Sequence, residues 1–81
     1  MSIEEKIRDI IADIVHCDKS IITMDSSFQD IKADSLDIVQ ALVAVEDTFS
    51  IEIPDEEAQK FQNFADFVSY VENQVAQKEK A

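Results

Sequence analysis

Glycine is absent from this chain of 81 residues, and proline occurs once, at Pro54. Without glycine, the positive backbone angles of tight turns are hard to supply, so helices are favoured over a turn-rich β fold. The same lack removes the central glycine of an EF-hand loop and the glycine-rich loops that cradle phosphate. One cysteine, Cys17, forbids an internal disulfide, and with the single His16 it leaves no Cys/His set for zinc, so no metal site is expected. His16 and Cys17 read as a helix end. With one imidazole, and with Ser35 outside any glycine-flanked nucleophile turn, a self-sufficient hydrolase is disfavoured and no catalytic residue is assigned. Cations are scarce as well: Lys+Arg 7 against Asp+Glu 18 gives a net charge of -11. That balance argues against nucleic acid or an anionic membrane surface as partner and points to basic protein patches. No apolar run approaches the ~18 residues that span a bilayer, so membrane insertion is not expected. The acidic start Met1-Ser2-Ile3-Glu4-Glu5 lacks the basic and apolar regions of a signal peptide, and a cytoplasmic location is expected.

What the chain does contain is periodic. Its composition, 46% hydrophobic and 31% charged, is that of one small globular domain spanning residues 1–81. A domain of this size buries roughly 60% of the surface its unfolded chain exposes. The first predicted helix runs from about Ser2 to Val15, with Ser2 and Glu5 spaced as a capping box and Ile3, Ile7, Ile10, Ile11 and Ile14 on one face. A long loop follows from His16 to Ala33, with Ile21, Ile22, Met24, Phe28 and Ile31 expected to pin it to the core. The second helix covers about Ser35 to Ser50, a short one Asp55 to Phe61 after the extended Ile51-Glu52-Ile53-Pro54, and a last one is capped by Asn63. Phe64, Phe67, Val68, Val71 and Val75 form the buried stripe of that last helix, and the tail from Gln77 to Ala81 is expected to fray. The fold class is therefore all-α, a small four-helix bundle of three longer helices and one short one, with a long loop between the first two.

The organising stretch is Lys32-Ala33-Asp34-Ser35-Leu36-Asp37-Ile38-Val39. Asp34 is a helix N-cap, Asp37 falls three residues later as in a capping box, and Ser35 is left exposed at the first helical position. A hydroxyl there lies beside the positive end of the helix dipole, which tolerates a phosphate ester. Behind it the second helix has two apolar stripes. Ile38, Leu42, Val45 and Phe49 face inward, while Leu36, Val39 and Val43 lie on a separate side flanked by Gln40, Glu46 and Asp47. Periodicity alone leaves two readings of that second stripe: a bundle that wraps the helix from two sides, or an exposed docking strip ringed by acids.

The run Phe28-Gln29-Asp30-Ile31-Lys32-Ala33-Asp34-Ser35-Leu36-Asp37, followed by Glu46-Asp47-Thr48-Phe49 and Ile51-Glu52-Ile53-Pro54-Asp55-Glu56-Glu57-Ala58, resembles the acyl carrier proteins over nearly the whole chain. The resemblance implies that Ser35 is the attachment point of a phosphopantetheine arm, transferred from coenzyme A by a phosphopantetheinyl transferase. It implies a non-catalytic, monomeric carrier that holds acyl intermediates as thioesters and presents them to fatty-acid or related acyl-chain enzymes: synthases, reductases, dehydratases and acyltransferases with basic docking patches. Asp34, Leu36, Asp37, Val39, Val43, Glu46 and Asp47 would be the docking residues. Phe28, Leu42, Val45, Ile53, Ala58, Phe61 and Phe67 are the positions that would line an acyl pocket, though each also reads as ordinary core. The chain departs from the family pattern at Lys32, where glycine is usual, at Gln40, where fatty-acid carriers place glutamate, and in a shortened Phe28-to-Ser35 interval. Phe61, Phe64 and Phe67 stand where smaller aliphatics are common. A carrier for a specialised pathway (polyketide, aminoacyl or lipid modification) and an unmodified acidic helical interaction module are the alternatives.

Overall fold

The computed structural model describes residues 2–31 and 33–80. Among these residues there are four α-helices: α1 (Ile3–Val15), α2 (Ser35–Phe49), α3 (Asp55–Ala58) and α4 (Phe64–Lys80), with a 3-10 turn at Lys19–Ile21 inside the long loop. The expected all-α bundle of three longer helices and one short one is what forms.

The three longer helices begin where a side chain can satisfy orphan amides, whereas α3 begins after Pro54 with no side-chain cap. Ser2 Oγ accepts from the Glu5 amide at 3.1 Å to start α1. Asn63 Oδ1 accepts from the Asp66 amide at 2.9 Å to start α4, while the Asp66 carboxylate reaches back to the Gln62 amide at 3.0 Å. With no glycine available, α1 and α2 end on His16 and Ser50 in the left-handed region, at φ 61 and φ 55. The expected short helix to Phe61 stops at Ala58 instead. Beyond it the Lys60 and Phe61 amides donate to Glu57 and Ala58, three residues back, so the chain tightens and leaves the α-helical path.

α1 packs against both α2 and α4. Ile7, Ile11, Val45, Phe67, Val68 and Val71 form the fully buried centre. On α2 the buried line is Ala41 and Val45 rather than the whole predicted stripe; Ile38, Leu42 and Phe49 are half-buried, because the flank carrying Ile38 and Leu42 faces α3 across a cleft. Fraying from Gln77 is not seen either: α4 stays helical to Lys80, and Lys78 Nζ donates to the Phe49 and Ser50 carbonyls at the end of α2, at 3.5 and 3.2 Å. That contact gives the last turn of α4 a tertiary partner. Met1, Lys32 and Ala81 lie outside the described residues, and with Lys32 the departure from the family pattern at that position.

The long loop is held by polar bonds as much as by apolar burial. Ile22 and Ile31 are buried and Phe28 is half-buried, but Ile21 and Met24, expected as pins, are exposed. Their place is taken by backbone bonds: the Phe64 and Ala65 amides donate to the Ser26 and Met24 carbonyls at 2.8 and 3.0 Å, tying the loop to the first turn of α4. Arg8 adds a side-chain clamp. Its Nε donates to the Ile22 carbonyl at 2.9 Å, its guanidinium pairs with Glu4 at 2.6 Å, and it lies over the Phe64 ring 5.2 Å from the centroid. Lys19, at the 3-10 turn, reaches Asp9 of α1 at 2.7 Å. The Asp9 hydrogen bond and charge raise the Lys19 pKa, and the Ser20 amide lowers that of Asp18.

Candidate functional site

The pinned loop delivers Ser35 to the surface. Ser27 and Asp30 exchange amide-to-side-chain bonds at 3.0 and 3.1 Å, and the Ala33 amide donates to the Phe28 carbonyl at 2.9 Å, which turns the chain toward α2. Asp34 has the extended backbone of an N-cap; its carboxylate accepts from the Asp37 amide at 2.9 Å, and the Asp37 carboxylate accepts from the Asp34 amide at 3.4 Å. Both carboxylates are thus turned onto the backbone by the reciprocal box. Ser35 is exposed at the first helical position, and its hydroxyl makes no hydrogen bond among the described residues. An anion esterified there lies next to the partial positive charge of the α2 N-terminus.

The second stripe of α2 is bare. Leu36, Val39 and Val43 are 64%, 53% and 51% exposed, so the bundle does not wrap the helix from two sides. Asp34 and Asp47 are exposed beside this strip, and Asp37 is half-exposed. Glu46 differs from its acidic neighbours: it is half-buried, and Oε2 accepts from the Ile53 amide at 3.0 Å, holding the segment that leads into α3. Its charge, with that of Glu57 and behind the leading effect of burial, raises the pKa of the Tyr70 phenol.

Between α2 and α3 opens an apolar cleft of about 360 Å³, lined by Phe28, Ile38, Val39, Leu42, Ala58 and Phe61, with Asp55 and Gln59 also on its wall. Ile38 and Val39 stand three and four residues beyond Ser35, so the cleft begins one helical turn from the hydroxyl. Of the seven pocket positions read from the sequence, Phe28, Leu42, Ala58 and Phe61 line the cleft. Val45, Ile53 and Phe67 do not: they are 0%, 6% and 0% exposed and belong to the core. Val45 lies three residues past Leu42, on the buried line of α2 that begins at Ala41, and Phe67 is on the buried stripe of α4. Ile38, Val39, Asp55 and Gln59 were not expected as lining residues, Val39 being read from the sequence as a docking residue. For Ile38 the signal was present in its spacing from Ser35; for Asp55 and Gln59 only the tertiary placement of α3 reveals it.

The sequence profile of a family described as the phosphopantetheine attachment site matches residues 5–71. The chain belongs to the acyl carrier protein family. It is 50% identical over 72 residues to an acyl carrier protein of Akkermansia muciniphila, covering 88% of this chain and 90% of that protein. To one of Clostridium acetobutylicum it is 52% identical over 68 residues, covering 83% of this chain and 88% of the other. The solution structure of a holo acyl carrier protein from Geobacter metallireducens superposes with a TM-score of 0.86 at 27% identity, over 99% of this chain and 93% of that one. The cofactor of this family is phosphopantetheine, and an exposed hydroxyl at a helix N-terminus beside an apolar cleft fits a phosphodiester-linked arm. Among the described residues no helix is long and apolar enough to cross a membrane, and no group of metal-ligating side chains is assembled.

Proposed function

We propose that Ser35 carries the phosphopantetheine arm and that the chain is a non-catalytic carrier of acyl groups for fatty-acid or related acyl-chain synthesis. The observation that carries this reading is the placement of an exposed hydroxyl, framed by a reciprocal capping box, one turn above an apolar cleft. When bound, the arm supplies a terminal thiol that holds acyl groups as thioesters. In the loading step Ser35 Oγ bonds to phosphorus, the pyrophosphate link of coenzyme A breaks, adenosine bisphosphate leaves, and the serine proton passes to a base of the transferase. The chain's own residues then divide the work. Leu36, Val39 and Val43 give partners an apolar foothold, while Asp34, Asp37 and Asp47, with the half-buried Glu46, steer basic patches on the transferase, synthases, reductases, dehydratases and acyltransferases. Fast steered association with moderate affinity suits a carrier that visits many enzymes.

Apart from Asp55 and Gln59 the cleft wall is carbon, which favours an aliphatic acyl group over an aminoacyl cargo bearing an unpaired ammonium. A net charge of -11 opposes self-association and supports a monomer. A working thiol is kept free in a reducing compartment, which supports the cytoplasm as the site of action. The test is intact mass after incubation with coenzyme A and a broad-specificity phosphopantetheinyl transferase. Wild-type protein gains one phosphopantetheine and Ser35→Ala gains none; a wild-type chain that stays unmodified under conditions that load a control carrier would overturn the reading.

A further inference from the structure

The cleft between α2 and α3 ends on a ladder of aromatic rings. Phe67 has no exposed surface and supports two rings that line the cleft: Phe28, with centroids 6.3 Å apart and planes tilted by 59°, and Phe61, with centroids 5.3 Å apart and planes nearly parallel at 15°. Phe61 meets Tyr70 in turn, at 5.5 Å and 55°, and the Tyr70 phenol donates to the Glu52 carbonyl at 3.4 Å. Phe61 is therefore a rung with cleft on one side and two packed rings on the other. A chain tethered at Ser35 that follows Ile38 and Leu42 along α2 meets these rings. To go deeper it must separate Phe61 from both Phe67 and Tyr70, and rings held by several partners in a close-packed interior give way as a unit or not at all. The open space is small for the task. At about 360 Å³ the cleft lies near the lower end of small-molecule sites, roughly 300–1,000 Å³, and it must also admit the thioester end of the arm.

We infer, on the acyl-carriage reading above, that Phe61 sets the length of cargo this chain shelters. A short or medium straight-chain acyl group lies in the cleft against Ile38, Leu42 and Ala58, and methylenes that would have to pass Phe61 stay in water. Val45 and Ile53, which are buried and do not line the cleft, remain core residues in the loaded protein.

The test uses the full chain with its arm loaded with butyryl, octanoyl or palmitoyl groups, and reads thermal unfolding together with the NMR shifts of the Ile38, Leu42 and Val45 methyl groups. In the wild type the Tm rises from butyryl to octanoyl, by about 2 °C for each methylene partly withdrawn from water, and palmitoyl adds nothing further. The Ile38 and Leu42 methyls shift on loading and the Val45 methyls do not. In Phe61→Ala the palmitoyl form becomes more stable than the octanoyl form, and the Val45 methyls shift with it. Phe61→Leu keeps an apolar side chain while removing the stack, and it moves the order in the same direction should Phe61→Ala fold poorly. A wild-type Tm that keeps climbing to palmitoyl, or a length dependence unchanged by either substitution, would overturn the assignment of Phe61 while leaving the carrier reading intact. Failure of Ser35 to accept the arm overturns both.

Discussion

Replacing Glu46 by glutamine and by alanine separates its bond to the Ile53 amide from the docking role proposed for its charge. Glu46 Oε2 accepts from the Ile53 amide at 3.0 Å, and Ile53 itself is 6% exposed, so its N–H has little water to turn to. A hydrogen bond to a charged group contributes about 1.5–3 kcal/mol, and a half-exposed acceptor belongs at the lower end. Glu46→Ala is therefore expected to cost about 1.5–2 kcal/mol, a fall in Tm of roughly 6–16 °C for a domain of this size. Against a total stability of about 4–12 kcal/mol the variant still folds. Glu46→Gln keeps an oxygen for the Ile53 amide and is expected to lose about 0.5 kcal/mol, or roughly 2–4 °C. The charge is gone in both. Loading by the transferase at low ionic strength should therefore slow in Glu46→Gln, and its salt dependence should flatten, although the fold is nearly as stable as the wild type. Glu46→Lys should slow loading further. Because Glu46 helps to raise the Tyr70 pKa, both neutral substitutions should also bring that phenol back toward its ordinary 10.0, as followed by ultraviolet absorbance. If glutamine costs as much stability as alanine, the carboxylate does not act as the acceptor that ties α2 to the segment before α3. If the salt dependence of loading is the same with and without the charge, Glu46 has no part in the docking address.

Arg8→Ala removes a charged donor to the Ile22 carbonyl, a pair with Glu4 and a cation over Phe64, and is expected to cost about 2–4 kcal/mol by denaturant unfolding; a loss below about 1 kcal/mol would show that the loop is held by burial alone. Ser50→Gly relieves a left-handed residue at the end of α2 while adding freedom to the unfolded chain, for a net gain of about 0.5 kcal/mol and roughly 2–4 °C in Tm, and a lower Tm would contradict it. Tyr70 is the one tyrosine in a chain without tryptophan, so its titration is read directly. Its pKa is raised by burial first and then by Glu57 and Glu46, so the folded state binds the phenol proton more tightly than the unfolded chain does. Its contribution to stability is accordingly full below the ordinary value of 10.0 and lost as pH rises through the folded value; a midpoint at or below 10.0 in folded protein would refute this.

The site and the cleft differ in how far they could be read from sequence, and the difference is one of range. Ser35 is positioned by Asp34 and Asp37, within a single turn, and the reciprocal bonds they make need no tertiary partner to be foreseen. The outer stripe of α2 was legible too, because a period of 3.6 sets Leu36, Val39 and Val43 apart from the inward face; of that face as read, Ile38, Leu42, Val45 and Phe49, only Val45 is fully buried, and Ala41 takes its place beside it. What periodicity does not contain is the length of whatever packs alongside. α3 has 4 residues and α2 has 15, so at about 1.5 Å per residue the short helix spans only about a quarter of its neighbour. It is too short to cover both flanks. Its early stop follows from the bonds at Lys60 and Phe61, three residues back rather than four, and nothing in Asp55-Glu56-Glu57-Ala58 announces where that tightening begins. Leu36, Val39 and Val43 therefore remain bare, Ile38 and Leu42 are left facing a cleft instead of a core, and Phe61 comes to lie against Phe67 at the end of it. The bare strip and the cleft are in this sense one consequence of a short α3: a helix continued to Phe61 would bury more of α2 and leave less room beside Ser35 for anything the serine carries.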